Sequence, residues 1–297
     1  MKRRISVGLL FASPWLVGMV VFRFYPIGAS IYNSFTEFDI VTPPFFVGLE
    51  NYVSLLRDEV FWVSLQNTIY LFLIGLPVTV AVALLVAMLL NRRFPGVRVS
   101  RAIFYLPSVV PIVVIAIVWR WMLDAEVGML NAILQLVGIR GPGWLGDPRW
   151  IKPALIMINC WLIGDLMLIF LASLKDVSPQ LYEAADLEGA SPVRKTLFIT
   201  LPMISPIILF NVIVGIIRTF VYFDIPYIMT TTSGVTYGGP LRSATFYSMY
   251  LYNNAFRFYK MGYASAMAWI LFIITIAVTL FVIKRSSNWI YYEAENR

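Results

Sequence analysis

The chain has 297 residues, of which 60% are hydrophobic and 13% are charged, and its formal net charge is +7. Soluble domains are about 45–50% apolar and about 25% charged, so this composition predicts an integral membrane protein. The absence of histidine and the single cysteine, Cys160, exclude histidine metal sites, Ser-His-Asp catalysis and an internal disulfide. In such a chain an excess of Lys and Arg indicates membrane topology, and we expect no nucleic-acid partner.

Apolar runs of about 20 residues predict six membrane-spanning helices. Their predicted bounds are 5–29, 64–90, 102–123, 151–173, 203–229 and 262–283. The first run resembles a signal peptide, but it is longer than a typical signal core and no small-residue cleavage site follows it. We therefore expect it to be retained as the first span.

Lysine and arginine are concentrated in alternate connectors, namely residues 1–4, 91–101, 174–202 and the tail after Val282. This bias predicts that both termini and these two loops are cytoplasmic. It divides the chain into three parts. They are a first transmembrane helix with its external connector (1–63), a five-helix core that includes loop 174–202 (64–284), and a cytoplasmic tail (285–297).

The loop 174–202 is polar although it lies between two apolar runs. Ser178-Pro179 and Ser191-Pro192 each pair a favoured N-cap with a proline suited to the first helical position. Gly189 stands where a left-handed residue would end a helix. These signals predict a helix over 179–188, a break at Gly189 and a second helix from Pro192 to about Thr200, with Pro202 starting the fifth span. Such a pair could lie on lipid headgroups or dock on a cytoplasmic partner.

Two spans carry polar residues at helical spacing. In the fifth span, Asn211, Gly215, Arg218 and Tyr222 form one stripe. In the fourth span the candidates are Asn159, Trp161 and Asp165, and we expect Trp161 and Asp165 to share a face. Arg218 has two interpretations: it snorkels or pairs with Asp224, or it lines a path for a polar solute. Gly75 and Gly164 are predicted to be close-contact positions between helices.

The loop also carries a specific resemblance. Its residues Glu183, Ala184, Ala185, Gly189, Ile199, Leu201 and Pro202 are similar in order and spacing to the EAA loop of permease subunits of binding-protein-dependent ABC importers. FVGLENY (46–52), FYLPSVVP (104–111) and GYASAMAW (262–269) resemble the carbohydrate-uptake, maltose-transporter-like branch. Relative to the larger maltose permease, we expect neither the extra N-terminal helices nor the large external domain. The resemblance implies an all-α integral membrane protein with the six-helix type I ABC importer permease fold.

The resemblance also implies a mechanism and a set of partners. These are a second homologous permease, a cytoplasmic ABC ATPase dimer, an extracellular solute-binding protein, a sugar and the lipid of a prokaryotic cytoplasmic membrane. It places Glu183, Ala184 and Ala185 in a cleft of the ATPase, gives Gly189 the turn, and makes Ile199, Leu201 and Pro202 anchors to the membrane core. The chain itself is then no enzyme and binds no cofactor, and ATP and Mg²⁺ belong to the ATPase. The sugar would meet residues of the spans on either side of the loop, with Asn159, Trp161, Asp165, Asn211, Arg218 and Tyr222 as candidates.

Other functions stay open at this point. An ion-coupled secondary transporter would usually show more intramembrane acids or histidines than Asp165 and Asp224. No phosphate-binding glycine loop of the GxxxxGK[ST] kind occurs. Within the importer family the solute could be glycerol phosphate or another polar molecule, but Arg218 alone supplies little positive charge for an anion. A neutral or weakly charged saccharide is therefore favoured over an acidic one.

Overall fold

A computed structural model describes residues 2–92, 94–231, 238–286 and 290, of which residues 2–10 are described for their backbone only. The described chain is almost entirely helical. Its α-helices are α1 (Lys2–Met19), α2 (Tyr25–Ser34), α3 (Glu50–Arg57), α4 (Glu59–Tyr70), α5 (Leu76–Leu90), α6 (Val97–Val109), α7 (Ile112–Met122), α8 (Met129–Leu136), α9 (Ile151–Trp161), α10 (Gly164–Asp176), α11 (Pro179–Leu187), α12 (Pro192–Lys195), α13 (Leu201–Met203), α14 (Ser205–Phe220), α15 (Asp224–Thr230), α16 (Tyr247–Phe256) and α17 (Met261–Ser286). The strands are β1 (Thr36–Glu37) and β2 (Phe45–Phe46). Most of the predicted tail 285–297 lies outside the described residues.

Wider π-helical turns interrupt three of the helical stretches. They join α1 to α2, α4 to α5 and α12 to α13, at Val20–Phe24, Leu71–Gly75 and Thr196–Thr200. A short 3₁₀ turn, Pro240–Arg242, precedes α16. Such π-helical turns are rare in proteins, and those that occur are often found at functional positions. The third one lies between the polar loop and the fifth span.

The chain divides into two compact units. The N-terminal unit contains Met1–Phe61 and Tyr250–Ile273. Within it β1 and β2 pair antiparallel, with Thr36 opposite Phe46. The Asn51 amide donates hydrogen bonds to the carbonyls of Ser34 (3.0 Å) and Thr36 (2.9 Å), which fixes the hairpin against α3. The start of α17 lies so close that a Cβ on Gly262 would be 1.9 Å from the Thr36 carbonyl oxygen.

The core unit contains Trp62–Met249 and Ile274–Arg297. One buried cluster joins α5 to α10 and to the start of the fifth span, through residues such as Ala83, Met167 and Ile204. A second joins α7, α9 and α15, through Ile115, Leu155 and Ile225 among others. Small residues allow the close approach of neighbouring helices. A Cβ on Gly164 would be 2.3 Å from Ser108 Oγ and 3.0 Å from the Phe104 carbonyl, which bears out the expected close contact there.

Four helical stretches of the described chain are long and apolar enough to cross a membrane, namely Phe11–Ser34, Glu59–Leu90, Ser205–Thr230 and Met261–Ser286. The predicted third and fourth spans are wrong as continuous helices. The third is α6 and α7, bent by 102°, and the fourth is α9 and α10, bent by 50°. With each bent pair taken as one span the total is six. In the first stretch α2 ends at Ser34, beyond the predicted end of the first span at residue 29.

The sharp bend of the third span has an identifiable cause. Pro111 is the N-cap of α7, and Val110 before it is extended, with ψ 135°. A residue that precedes proline is pushed out of the helical region, and proline offers no backbone N–H. In the fourth span Leu162 closes α9, since its N–H is shared between the carbonyls of Ile158 and Asn159, and α10 restarts at Gly164.

Candidate functional site

The polar loop folds as the predicted helix, turn and helix. The first helix is α11, and Gly189 follows it with φ +71°. The N–H of Gly189 donates to the Asp186 carbonyl (3.0 Å), and the N–H of Ala190 donates to the Ala185 carbonyl (2.9 Å). This pair of bonds is a Schellman motif, which satisfies the carbonyls at the helix end and requires a left-handed residue at the glycine. The prediction for Gly189 is confirmed.

The second helix begins as predicted but continues further. Ser191 Oγ accepts a hydrogen bond from the Arg194 N–H (3.3 Å), so the serine is a true N-cap. Ser178 occupies the equivalent position before Pro179 but makes no side-chain cap bond. Pro202 does not restart the chain, because it lies at the start of α13, and the long fifth helix begins at Ser205-Pro206, after Ile204. Another Ser-Pro pair supplies that start, with its proline four residues after Pro202.

The two helices of the loop are tied together and to the core. Lys195 Nζ forms an ion pair with Asp186 across the turn. On the inner side Tyr182, Ile199 and Leu201 pack against the cluster that joins α5 and α10. The placement of Ile199 and Leu201 is what a membrane-core anchor needs, and Pro202 beside them is partly buried.

The outer side of the loop exposes apolar residues to solvent. Glu183 and Ala184 are exposed and Ala185 is partly buried. The exposed fraction reaches 92% for Leu187, 68% for Val193 and 72% for Phe198. A polar loop that presents apolar side chains in this way offers a surface for another macromolecule or for lipid.

The second candidate site is a cavity of about 280 Å³ in the core unit. The predicted stripe of α14 lines it: Asn211, Gly215 and Arg218 face the cavity, and so does Tyr222 just after the helix. Asn159 and Asp165 of the bent fourth span line it as well. The structure therefore brings together five of the six predicted solute-contacting residues.

Trp161 is the exception, and the expectation that it shares a face with Asp165 is wrong. The helix ends between them at Leu162, so the periodicity of a continuous helix does not apply. The Trp161 side chain is half exposed and does not line the cavity. Its ring packs edge-on against Trp119, at a centroid distance of 5.7 Å.

Two polar residues of the cavity lining escaped the sequence analysis, Thr79 and Thr219. Thr79 lies in the second span, and its hydroxyl donates to the Gly75 carbonyl (2.9 Å) one turn earlier. A hydroxyl in an otherwise apolar helix, four residues after a glycine, was the available signal. Thr219 is adjacent to Arg218 and could have been found by widening the stripe by one position.

Two polar groups in this cavity lack hydrogen bonds. Asn211 is 2% exposed, and its Nδ2 atom and the Tyr222 hydroxyl are buried without a hydrogen bond to any described residue. Asn159 approaches the Tyr222 hydroxyl, but their geometry is not that of a hydrogen bond. An unsatisfied buried amide or hydroxyl costs about 1–3 kcal/mol, so each is poised to bond a group that enters the cavity.

The cavity also has one cation and one anion. Arg218 lies in the last turn of α14, and Asp165 lies in the first turn of α10. Each charge is therefore at the helix end whose partial charge is opposite to its own. Among the described residues neither forms an ion pair, so Arg218 does not bind Asp224 as one interpretation expected. The described residues hold no group of three His, Cys, Asp or Glu side chains that would suit a metal ion.

Residues 75–288 match the family described as "Binding-protein-dependent transport system inner membrane component". The chain is 39% identical to the "Probable ABC transporter permease protein YesP" of Bacillus subtilis (strain 168), over 97% of this chain and 93% of that protein. It is 35% identical to the "Lactose transport system permease protein LacF" of Rhizobium radiobacter, over 95% and 94% of the two chains.

The fold is also that of a solved structure. A chain of a bacterial ABC transporter involved in the import of the acidic polysaccharide alginate superposes with a TM-score of 0.83, at 24% identity, over 97% of this chain and 98% of that one. The expected permease fold is thus confirmed.

Proposed function

Since this chain belongs to the family of inner membrane components of binding-protein-dependent transport systems, we propose that it is the permease subunit of an ABC importer for a sugar or oligosaccharide. The observation that carries the proposal is the cavity between α5, α9, α10 and α14, where Asn211 and Tyr222 hold unsatisfied polar atoms beside Arg218 and Asp165. A saccharide offers hydroxyls that both donate and accept hydrogen bonds, and so it can satisfy all four groups.

The choice of a sugar rests on two lines of support. Several similar permeases, those named for lactose and for trehalose and maltose among them, carry names of sugar transport systems. The cavity contains one positive and one negative side chain, Arg218 and Asp165. A charged solute would therefore meet one side chain of like charge as well as one of opposite charge. A glycerol-phosphate importer, the second candidate, is favoured only by the unpaired guanidinium of Arg218.

Energy for transport comes from a partner in this proposal. Glu183, Ala184 and Ala185 of α11 enter a cleft of a cytoplasmic ABC ATPase, where the small alanines allow close backbone approach, and the exposed Leu187 adds apolar contact. ATP and Mg²⁺ bind to that ATPase dimer. A second homologous permease completes the translocation path, and an extracellular solute-binding protein delivers the sugar. Both termini and the loop 174–202 then face the cytoplasm.

Co-purification tests the proposal directly. The tagged chain is expressed in its own host, extracted in mild detergent or nanodiscs, and compared with Glu183→Lys and Gly189→Pro. We expect an ABC ATPase and a second permease to co-purify with the parent, and both variants to lose the ATPase while keeping the second permease. Proline cannot adopt the φ of +71° found at Gly189, so that variant disrupts the turn itself. A parent chain that purifies alone and transports without ATP would instead establish a secondary transporter.

A further inference from the structure

Tyr182 and Thr200 belong to the two helical segments of the polar loop, on either side of the turn at Gly189, and are joined in the fold. Their hydroxyls share a hydrogen bond of 2.9 Å. Tyr182 is on α11, immediately before Glu183, and Thr200 is the last residue of the π-helical turn that leads to the fifth span. Thr200 is 7% exposed, and the Tyr182 ring packs against the cluster of α5 and α10. The bond is therefore partly buried, and the Thr200 hydroxyl has a second, longer contact of 3.5 Å with the Lys195 carbonyl.

A continuous series of hydrogen bonds runs from Thr200 into α14. The Thr200 carbonyl accepts from the Ile204 N–H (3.1 Å), and the Ile204 carbonyl accepts from the Ile208 N–H (3.0 Å). Ile204 is 1% exposed and cannot move without displacing the cluster around it. Asn211, which lines the cavity, is three residues after Ile208.

We propose that the Tyr182–Thr200 hydrogen bond is the coupling contact that transmits movement of α11 to the cavity-lining helix α14. The proposal rests on the proposed function, in which α11 docks on an ATPase. The turn at Gly189 and the Asp186–Lys195 ion pair hold the outer end of the loop. The Asp186 side chain is 65% exposed, and exposed ion pairs contribute little. The partly buried bond between Tyr182 and Thr200 ties α11 to the segment that leads into α14. Tyr182 and Thr200 are positioning residues, since neither lines the cavity nor lies on the exposed face of the loop.

The test measures coupling without requiring the identity of the sugar. Val214 lines the cavity, and Val214→Cys in a Cys160→Ala background gives a single thiol there. The reporter chain is purified in nanodiscs with its co-expressed ATPase and second permease, and the rate of N-ethylmaleimide labelling is measured with and without ATP plus vanadate. We expect ATP plus vanadate to change that rate several-fold in the parent reporter.

Tyr182→Phe and Thr200→Val each remove only one hydroxyl and keep the packing volume. We expect both to abolish most of the ATP-dependent change in labelling while the ATPase still co-purifies and hydrolyses ATP. Thr200→Val also removes a long hydrogen bond (3.5 Å) from the Thr200 hydroxyl to the Lys195 carbonyl, whereas Tyr182→Phe removes only the shared bond. The double variant should therefore be no worse than Thr200→Val alone. Tyr52→Phe is the matched control, since it removes a hydroxyl bonded to Ser34 Oγ at 2.8 Å in the N-terminal unit, and it should leave the change intact.

The outcomes separate the two proposals. If no ATPase co-purifies with the parent, the proposed function fails. If the ATPase co-purifies, and Tyr182→Phe and Thr200→Val show the parent's ATP-dependent change, the coupling contact is overturned. Thermal melting of each variant complex is recorded alongside. A lowered melting temperature with an unchanged ATP response would show a merely structural bond and would also overturn the inference.

Discussion

The carboxylate of Asp58 accepts a hydrogen bond of 2.5 Å from the hydroxyl of Tyr263, although the two residues are 205 positions apart in the sequence. The same carboxylate oxygen accepts a bond from the Tyr250 hydroxyl. Asp58 stands just before α4, and Tyr250 and Tyr263 belong to α16 and α17, so one side chain joins three segments of the N-terminal unit. Partial burial alone would raise the pKa of Asp58, but the bonds from both hydroxyls and from the backbone N–H groups of Val60 and Phe61 outweigh burial and lower the pKa below the ordinary 3.8.

We predict that Asp58→Asn and Tyr263→Phe lower the melting temperature at neutral pH. A hydrogen bond to a charged group contributes about 1.5–3 kcal/mol, so the loss should be measurable in detergent melts of the purified chain. Because the pKa of Asp58 is lower in the folded state than in the unfolded state, its contribution is fully present above the ordinary value of 3.8 and is lost as the pH falls through the folded pKa. The difference in melting temperature between the parent and Asp58→Asn should therefore be constant above pH 5 and shrink below pH 3.8. A difference that grew on acidification would contradict this assignment.

Gly189→Ala is expected to weaken recruitment of the ATPase while leaving the fold in place. A Cβ at this glycine meets nothing within 4 Å, so the cost comes only from the left-handed backbone, φ +71°. That cost is about 1 kcal/mol for alanine, and asparagine, which tolerates this conformation, should cost less. Quantitative co-purification of the ATPase should rank the parent first, Gly189→Asn second and Gly189→Ala third. Equal recruitment by all three chains would mean that the turn geometry is irrelevant to docking.

How far the sequence predicted these sites depends on the range of the interactions involved. The turn at Gly189 and the cap at Ser191 follow from residues within one or two helical turns, and both were predicted. The prediction for Trp161 was wrong because helical periodicity holds only within an unbroken helix. The helix ends at Leu162, and no proline in the sequence indicates that end.

Contacts between distant segments left no local signal. The pairing of Tyr182 with Thr200 and of Asp58 with Tyr263 depends on how helices pack, which periodicity within one helix does not determine. The bend of the third span had a local signal in Pro111, yet an apolar run of the right length looks the same whether straight or broken. Length and composition therefore predicted six spans but not the two bends that shape the core.

Gly164 and Gly215 offer a matched comparison of helix contacts. A Cβ at Gly164 would be 3.0 Å from the backbone carbonyl of Phe104 and 3.0 Å from Tyr105 Cα, whereas a Cβ at Gly215 would be 2.3 Å from Leu76 Cδ1, the end of a flexible side chain. Backbone atoms cannot rotate away, so Gly164→Ala should destabilise the chain by about 1–3 kcal/mol and Gly215→Ala by less. Gly18→Ala, where a Cβ meets nothing within 4 Å, is the control; it lies within α1, where alanine is the better helix former, so its melting temperature should be unchanged or slightly raised. The order of the three melting temperatures checks the prediction, and a larger effect at Gly215 than at Gly164 would refute it.

Asn211→Leu should separate transport from stability. The Asn211 side chain is 2% exposed and its Nδ2 atom has no hydrogen bond to a described residue, so the folded protein bears the cost of burying an unsatisfied amide. Leucine has nearly the same shape and removes that cost, and we therefore expect an unchanged or higher melting temperature. Substrate-dependent ATP hydrolysis by the assembled complex should nevertheless fall about tenfold, as expected for the loss of roughly 1.4 kcal/mol of solute binding. Asn51→Leu is the contrasting control: its amide makes two hydrogen bonds in the hairpin, so the melting temperature should fall. If Asn211→Leu destabilises the protein as Asn51→Leu does, the Asn211 amide serves the fold and not the solute.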